Sequence, residues 1–197
     1  WNVNSLRVRV DHVRDWLTSD QPDVLALQET KLTDDKFPVD VFEELGYHST
    51  FSGQPTYNGV AVLSKEPVTD IVTDFDGYDD IQRRILGVTV GGVRVLNLYI
   101  PNGHSVGSEK YEYKLGWLDA LLKHLRSELD AHEKIVVLGD FNIAPSDEDV
   151  HDPAAWDGKI LCSPKERAAL QAIEKLGFKD CFRLFDQAGG SFSWWDY

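Results

Sequence analysis

Residues 135–145 read Ile-Val-Val-Leu-Gly-Asp-Phe-Asn-Ile-Ala-Pro. Four apolar residues without a polar break predict a buried strand rather than a half-exposed one. The run stops at Gly139, and two side chains with oxygen heads follow on alternate positions, Asp140 and Asn142. In an extended chain residues i and i+2 point the same way. The strand would therefore deliver a carboxylate and an amide to one place at its mouth, with Pro145 ending the ladder. A hard cation or a polarised water calls for such oxygen donors. A turn Asp followed by a turn Asn explains the same letters, and this stretch alone supports both readings.

Upstream of it, Glu109 to Leu129 reads as a long amphipathic helix with Leu115, Leu118, Leu122, Leu125 and Leu129 as its core stripe. Before it, Gly91-Gly92 turns strand Ile85–Val90 into strand Val93–Ile100. Tyr99 is two residues from Asn97, so both face one side, and Asn102 follows in the loop. Val24 to Leu27 is a short buried strand that ends in Gln28-Glu29-Thr30-Lys31, a second strand mouth carrying a carboxylate. A lone Glu in that position is more often solvated surface than ligand.

Trp1 to Asn4 alternates as a strand end does. Ser5 is placed to cap a helix in which Leu6, Val10, Val13 and Leu17 recur at helical spacing. Pro38 to Leu45 predicts a short helix stopped by Gly46. Tyr47–Phe51, Gly59–Ser64 and Val68–Phe75 read as strands. Ser163-Pro164-Lys165-Glu166 is a capping box opening a helix to Leu176, closed by Gly177. Residues 74–80 and 146–161 are acidic loops. Strands and helices mix without strict βαβ alternation and with hairpins present. That predicts α and β layers with mixed sheets rather than a Rossmann or barrel fold.

A chain of 197 residues with 42% hydrophobic content predicts one domain with a sizeable core. No run approaches the ~20 apolar residues of a membrane span, no leader pattern is visible, and two cysteines make no disulfide framework. The expectation is a cytoplasmic monomer with reduced thiols. No GxGxxG, Walker A, HExxH or Ser-His-Asp pattern appears, which argues against dehydrogenases, P-loop kinases and zinc proteases. The formal net charge of −13 argues in bulk against nucleic acid. Affinity for DNA depends, however, on phosphate contacts at one face. Arg7, Lys31, Arg83, Arg84, Lys110 and Lys114 fall near the predicted mouths, so a basic rim on an acidic body is expected. Four mouths carry oxygen-rich heads: Asn2 with Asn4, Glu29, Tyr99 with Asn102, and Asp140 with Asn142. This hard donor set suits Mg²⁺ or Mn²⁺ and a phosphate substrate.

Several motifs follow one another along the whole chain: Trp-Asn-Val-Asn-Ser-Leu-Arg (1–7), Pro-Asp-Val-Leu-Ala-Leu-Gln-Glu-Thr-Lys (22–31) and Asn-Gly-Val-Ala-Val-Leu-Ser (58–64). Gln-Arg-Arg-Ile (82–85), Asn-Leu-Tyr-Ile-Pro-Asn-Gly (97–103), Gly-Asp-Phe-Asn-Ile-Ala-Pro (139–145) and Phe-Ser-Trp-Trp-Asp-Tyr (192–197) continue the series. In these the chain resembles the endonuclease/exonuclease/phosphatase superfamily, most closely its exonuclease III-type AP endonucleases. The resemblance implies an α/β four-layered sandwich, with two mixed, mostly antiparallel sheets face to face and helices outside. It implies a Mg²⁺-dependent phosphodiesterase, with Mn²⁺ as substitute, acting on double-stranded DNA with abasic sites or damaged 3′ ends. Cleavage would fall 5′ to the abasic site, with 3′→5′ exonuclease and 3′-end trimming besides.

By the same resemblance Glu29 is the metal ligand with Asn2 beside it. Asp140 activates the attacking water, Asn142 holds the water or the phosphate, and Tyr99 hydrogen-bonds the scissile phosphate. Asn102, Asn4, Lys31, Arg83 and Arg84 are substrate contacts, and Trp194 lines a pocket for the base-free sugar. For Lys31, Arg83 and Arg84 surface solvation is an equal reading. The family continues beyond its Trp-Trp motif to a later Asp and a terminal Asp-His, and its final strands. On that ground the single domain 1–197 is expected to be C-terminally incomplete, and inactive and poorly stable alone. The competing readings are a phosphatase or phosphodiesterase of the same superfamily on a non-DNA substrate, and a non-catalytic DNA-binding module.

Overall fold

A computed structural model of the protein describes residues 1–192. Trp194 and the rest of the terminal aromatic motif lie outside the described residues. The chain forms two compact units, residues 1–99 with 128–140, and residues 100–127 with 141–197.

Among the described residues, the first unit holds every strand. Helix α1 (Leu6–Asp20) leads to β1 (Val24–Gln28), α2 (Val39–Glu43), β2 (His48–Ser52) and β3 (Val60–Ser64). Then come β4 (Thr69–Val72), β5 (Ile85–Val90), β6 (Val93–Tyr99) and β7 (Ile135–Asp140). One sheet runs β1-β3-β2, antiparallel throughout, and the other β4-β5-β6-β7. In the second sheet β6 and β7 pair in parallel, because helix α3 (Glu109–Ala131) supplies the crossover between them. The sheets pack face to face: Val60 and Val62 of β3 meet Leu86, Val88 and Val90 of β5 and Val95 of β6 in one buried cluster. The outer face of the first sheet is covered by Leu6, Val13 and Leu17 of α1 and Phe42 of α2. Covered on both sides, β3 is buried at every position, which is why it reads as an unbroken apolar run. The sequence-level expectation of two mostly antiparallel sheets packed face to face holds, with the β6–β7 pair making the second sheet mixed.

A polar pin crosses the gap between the sheets. Asn97 is fully buried. Its Nδ2 donates to the carbonyls of Leu27 (3.0 Å) and Ala61 (2.9 Å), and its Oδ1 accepts from Gln28 Nε2 at 2.6 Å. A buried amide costs stability unless its donors and acceptor are matched, and here they are. The pin fixes the end of β6 against the end of β1, the two strands that deliver Tyr99 and Glu29.

Several expectations need correction. The 135–138 run is not fully buried: β7 lies at the edge of its sheet among the described residues, and Val136 is 43% exposed. Ser5 makes no side-chain cap. The first amides of α1 are met instead by carbonyls beyond β1, Ser5 N–H to Glu29 and Leu6 N–H to Thr30. On α3 the buried face is Tyr111, Lys114, Trp117, Leu118, Leu121, Leu125 and Glu128, while Leu115 and Leu122 are half-buried and Leu129 is exposed.

The second unit holds most of α3, the short α4 (Pro153–Trp156) and α5 (Pro164–Glu174). The expected capping box is present: Ser163 Oγ accepts from Glu166 N–H, and the Glu166 carboxylate accepts from Ser163 N–H.

Candidate functional site

In the first unit the exits of β1 and β7 meet at Asn2. The backbone beside Asn2 bridges in parallel to Gln28 at the end of β1. The side-chain amide nitrogen of Asn2 donates to Glu29 Oε1 and to Asp140 Oδ2, each at 2.8 Å. The two carboxylates are therefore no more than twice 2.8 Å apart at these oxygens. Asn2 Oδ1 is held by the amide of Asn4 at 3.0 Å. Lys31 Nζ sits 3.0 Å from Glu29 Oε2 and 2.5 Å from Asn4 Oδ1. The hydroxyl of Tyr99 donates to Glu29.

The backbone is shaped for this gathering. Gly139 has φ of 137°, and a Cβ there would lie 2.0 Å from the Leu98 carbonyl oxygen. Only glycine can stand before Asp140 while β7 keeps its register with β6. Asn4, Ser5, Glu29 and Lys31 all have positive φ between 42° and 88°. Left-handed conformations in non-glycine residues cost roughly 1 kcal/mol each. Strain of this kind, concentrated around one carboxylate pair, is typical of functional sites.

Burial tends to raise the pKa of Glu29, but hydrogen bonds from Asn2, Lys31 and Tyr99 and the charge of Lys31 outweigh it, and the net shift is downward. Tyr99 is pushed up by burial, then by the charge and hydrogen bond of Glu29. It therefore keeps its proton at neutral pH and is a donor. A carboxylate depressed in the folded state contributes stability that is present above its unfolded pKa and is lost as pH falls through the folded one. In metal-free buffer, the stability of the protein will fall below the ordinary carboxylate range, about pH 4.3, and Glu29→Gln will flatten that part of the curve. Urea denaturation from neutral pH down to about pH 3, below that range, measures this; an unchanged slope in the variant would contradict the assignment.

Among the described residues no group of three or more His, Cys, Asp and Glu side chains is arranged to hold a metal. Glu29, Asp140 and Asn2 offer two carboxylates and an amide, all hard donors. That set does not make a zinc or calcium cage, but it fits Mg²⁺, which keeps several waters and takes one or two carboxylates plus substrate phosphate.

Two sequence-level candidates have partners within the first unit. Arg84 is buried. Its guanidinium lies 4.7 Å from the Tyr99 ring centroid, donates to the Tyr99 carbonyl at 3.2 Å, and is held by Gln82 Oε1. Surface solvation is excluded for it, and it braces Tyr99 from behind. Arg83 pairs with Asp74 at 3.1 Å. The expected basic rim is not built as drawn, because Arg84 and Lys114 are buried and Lys31 and Arg83 are paired with acids.

The second unit carries Asn102 and Asn142, joined Nδ2 to Oδ1 at 3.3 Å. The strand ends at Asp140, and Asn142 has φ of 48°. The alternation argument therefore stops short of Asn142, whose amide donates to the Ile100 carbonyl at 3.0 Å. Sequence reasoning placed Lys114 on the basic rim, but it is buried and donates to the carbonyls of Asn102 and Asn142. The signal was available: Lys114 follows Tyr111 by three and precedes Trp117 by three, on the same helical face.

Two packed sheets with helices, and two carboxylates held together at strand ends, suit the hydrolysis of phosphoesters. The sequence profile of the Endonuclease/Exonuclease/phosphatase family matches residues 1–197, and the chain belongs to that family, as a DNA phosphodiester hydrolase of exodeoxyribonuclease III type. It is 37% identical to exodeoxyribonuclease III of Haemophilus influenzae over 210 residues, covering 100% of this chain and 79% of the relative. It is 29% identical to the DNA repair nuclease APEX1 of Danio rerio, covering 65% of that protein. Among solved structures, the 3′ phosphatase NExo from Neisseria, bound to a product DNA hairpin, superposes with a TM-score of 0.97 at 45% identity. The match covers 100% of this chain and 77% of that one. An AP endonuclease from Archaeoglobus fulgidus superposes with a TM-score of 0.89 at 39% identity, over 93% of this chain and 71% of its own.

Proposed function

We propose that this enzyme is a Mg²⁺-dependent nuclease of DNA repair that cleaves duplex DNA on the 5′ side of abasic sites and trims damaged 3′ ends. The observation that carries this reading is the single amide of Asn2 holding Glu29 and Asp140 together. One carboxylate serves the cation and one serves the water.

When bound, the cation supplies Lewis-acid stabilisation of charge developing on the phosphodiester. Glu29, with Asn2, would hold it. Asp140, fixed by Asn2, takes the proton of the attacking water. Tyr99, kept protonated, offers its hydroxyl to a phosphate oxygen, a donor placed in advance where charge develops. Asn142 orients the water or the phosphate, and Asn102 contacts the substrate beside it. Lys31 and Arg83 are substrate contacts that first part from Glu29 and Asp74. An abasic sugar leaves the stack at little cost because no base must be unstacked, and Trp194 would line its pocket.

A second reading has its own support. Solved relatives at 45% identity are described as a 3′ phosphatase and a 3′–5′ exonuclease, which favours 3′-end processing as the main activity. The deciding experiment gives the enzyme two duplexes with Mg²⁺, one with an internal abasic-site analogue and one with a 3′-phosphate at a nick. Incision 5′ to the analogue supports the first reading. Release of 3′-phosphate without incision supports the second.

A further inference from the structure

We propose that the buried Lys114–Glu166 pair is the positioning element for Asn102 and Asn142, and so sets the turnover rate of the site assigned above, on which this inference rests. Both side chains are fully buried. Lys114 Nζ donates to Glu166 Oε1 at 2.5 Å, to the Asn142 carbonyl at 2.6 Å and to the Asn102 carbonyl at 3.2 Å. One ammonium thus holds the backbone of both asparagines, whose side chains in turn bond each other. Glu166 is anchored on its far side. Oε1 accepts from Leu161 N–H at 3.1 Å, and Oε2 accepts from Ser163 N–H at 3.1 Å and Ser163 Oγ at 2.6 Å. Tyr111 Oη lies 2.7 Å from Ser163 Oγ, tying α3 to the start of α5 a second time. Gly103, with φ of 92°, lets the Asn102 loop lie on the lysine stem, since a Cβ there would come within 3.1 Å of Lys114 Cδ and 2.9 Å of Ile160 Cδ1.

A buried ion pair is a poor way to add stability, because desolvation offsets much of the attraction and an apolar pair of like volume does as well. What an apolar pair cannot do is donate to two loop carbonyls from one point. A lysine carries three donors on a compact head, and these three acceptors match them. Glu166 keeps that head aimed. Lys114 is thus a positioning residue, acting through the backbone of Asn102 and Asn142.

The test is a double-mutant cycle on kcat in the full natural enzyme, with the abasic and 3′-phosphate duplexes as substrates. The double variant Lys114→Met/Glu166→Gln removes both charges together, so that neither is stranded. It is expected to fold and to bind Mg²⁺ as the parent does. Its kcat should drop by up to about 10²-fold with KM little changed, as small misplacements of reacting groups do. Asn142→Ala, deleterious in the parent, should cost little more in that background, whereas Asp140→Asn should cost its full factor in both. Equal cost of Asn142→Ala in the two backgrounds, or parental kcat in the folded double variant, would overturn the positioning role alone. No effect of Asn142→Ala even in the parent would overturn it together with the role assigned to Asn142. If the double variant does not fold, Lys114→Arg carries the same cycle, since it keeps the charge but cannot direct one nitrogen at three oxygens.

Discussion

Asp140→Asn will lower kcat by about 10² to 10⁴-fold, the usual contribution of a positioned general base, with KM little changed. The substitution is nearly isosteric and leaves an oxygen to accept from Asn2 Nδ2, so the strand end and its glycine turn stay in place. What disappears is the capacity to take a proton from water. Because the loss is confined to the chemical step, kcat and kcat/KM should fall together. A KM effect without a kcat effect would move Asp140 from proton acceptor to substrate contact. Single-turnover kinetics with saturating enzyme separate the two, and circular dichroism and thermal melting establish that the variant is folded.

Glu29→Gln will act on the cation first. Glu29 is held by Asn2 Nδ2, by Lys31 and by the Tyr99 hydroxyl, three donors that a neutral amide satisfies poorly. Loss of an outer partner of a metal ligand costs about 10- to 100-fold in affinity, and loss of the ligand's own charge should cost at least that much. Calorimetric titration with Mg²⁺ reads the change directly, and raising the Mg²⁺ concentration should recover part of the activity. If the variant binds Mg²⁺ as tightly as the parent, Glu29 is not the ligand.

Most of the fold was legible because its strands are short, apolar and bounded by turn residues. The two glycines at 91 and 92 join β5 to β6 where the hairpin was expected, and β1 and β3 run where their apolar letters place them. The exposure of β7 was not legible. An apolar run says that a strand has a core face, but its place at the sheet edge depends on which strands flank it, and local sequence does not carry that. The α3 stripe misled for a different reason. Leucines drew attention from the real buried face, where Lys114 and Glu128 are charged yet matched, Glu128 by Arg94 in a bidentate pair at 2.7 and 2.8 Å. A hydrophobic count cannot see a buried charge whose partner lies 52 or 34 residues away.

At the site, residue types at strand mouths pointed to Asn2, Glu29, Tyr99 and Asp140, and the first unit brings these four together. The burial of Arg84 against Tyr99 was not readable, because an arginine that stacks on a tyrosine and one that reaches into solvent look alike in sequence. The geometry of Asn142 was hidden too, since the chain turns left-handed there, and only the backbone shows that.

The most direct measurement is product mapping on a duplex carrying one internal abasic-site analogue, with the full natural enzyme in Mg²⁺ and in EDTA. The expected result is a single cut 5′ to the analogue, leaving a 3′-hydroxyl, in Mg²⁺ and none in EDTA. Equal cleavage in EDTA, or no cleavage of either this duplex or a 3′-phosphate duplex in Mg²⁺, would contradict the metal-assisted reading of the Asn2, Glu29 and Asp140 site.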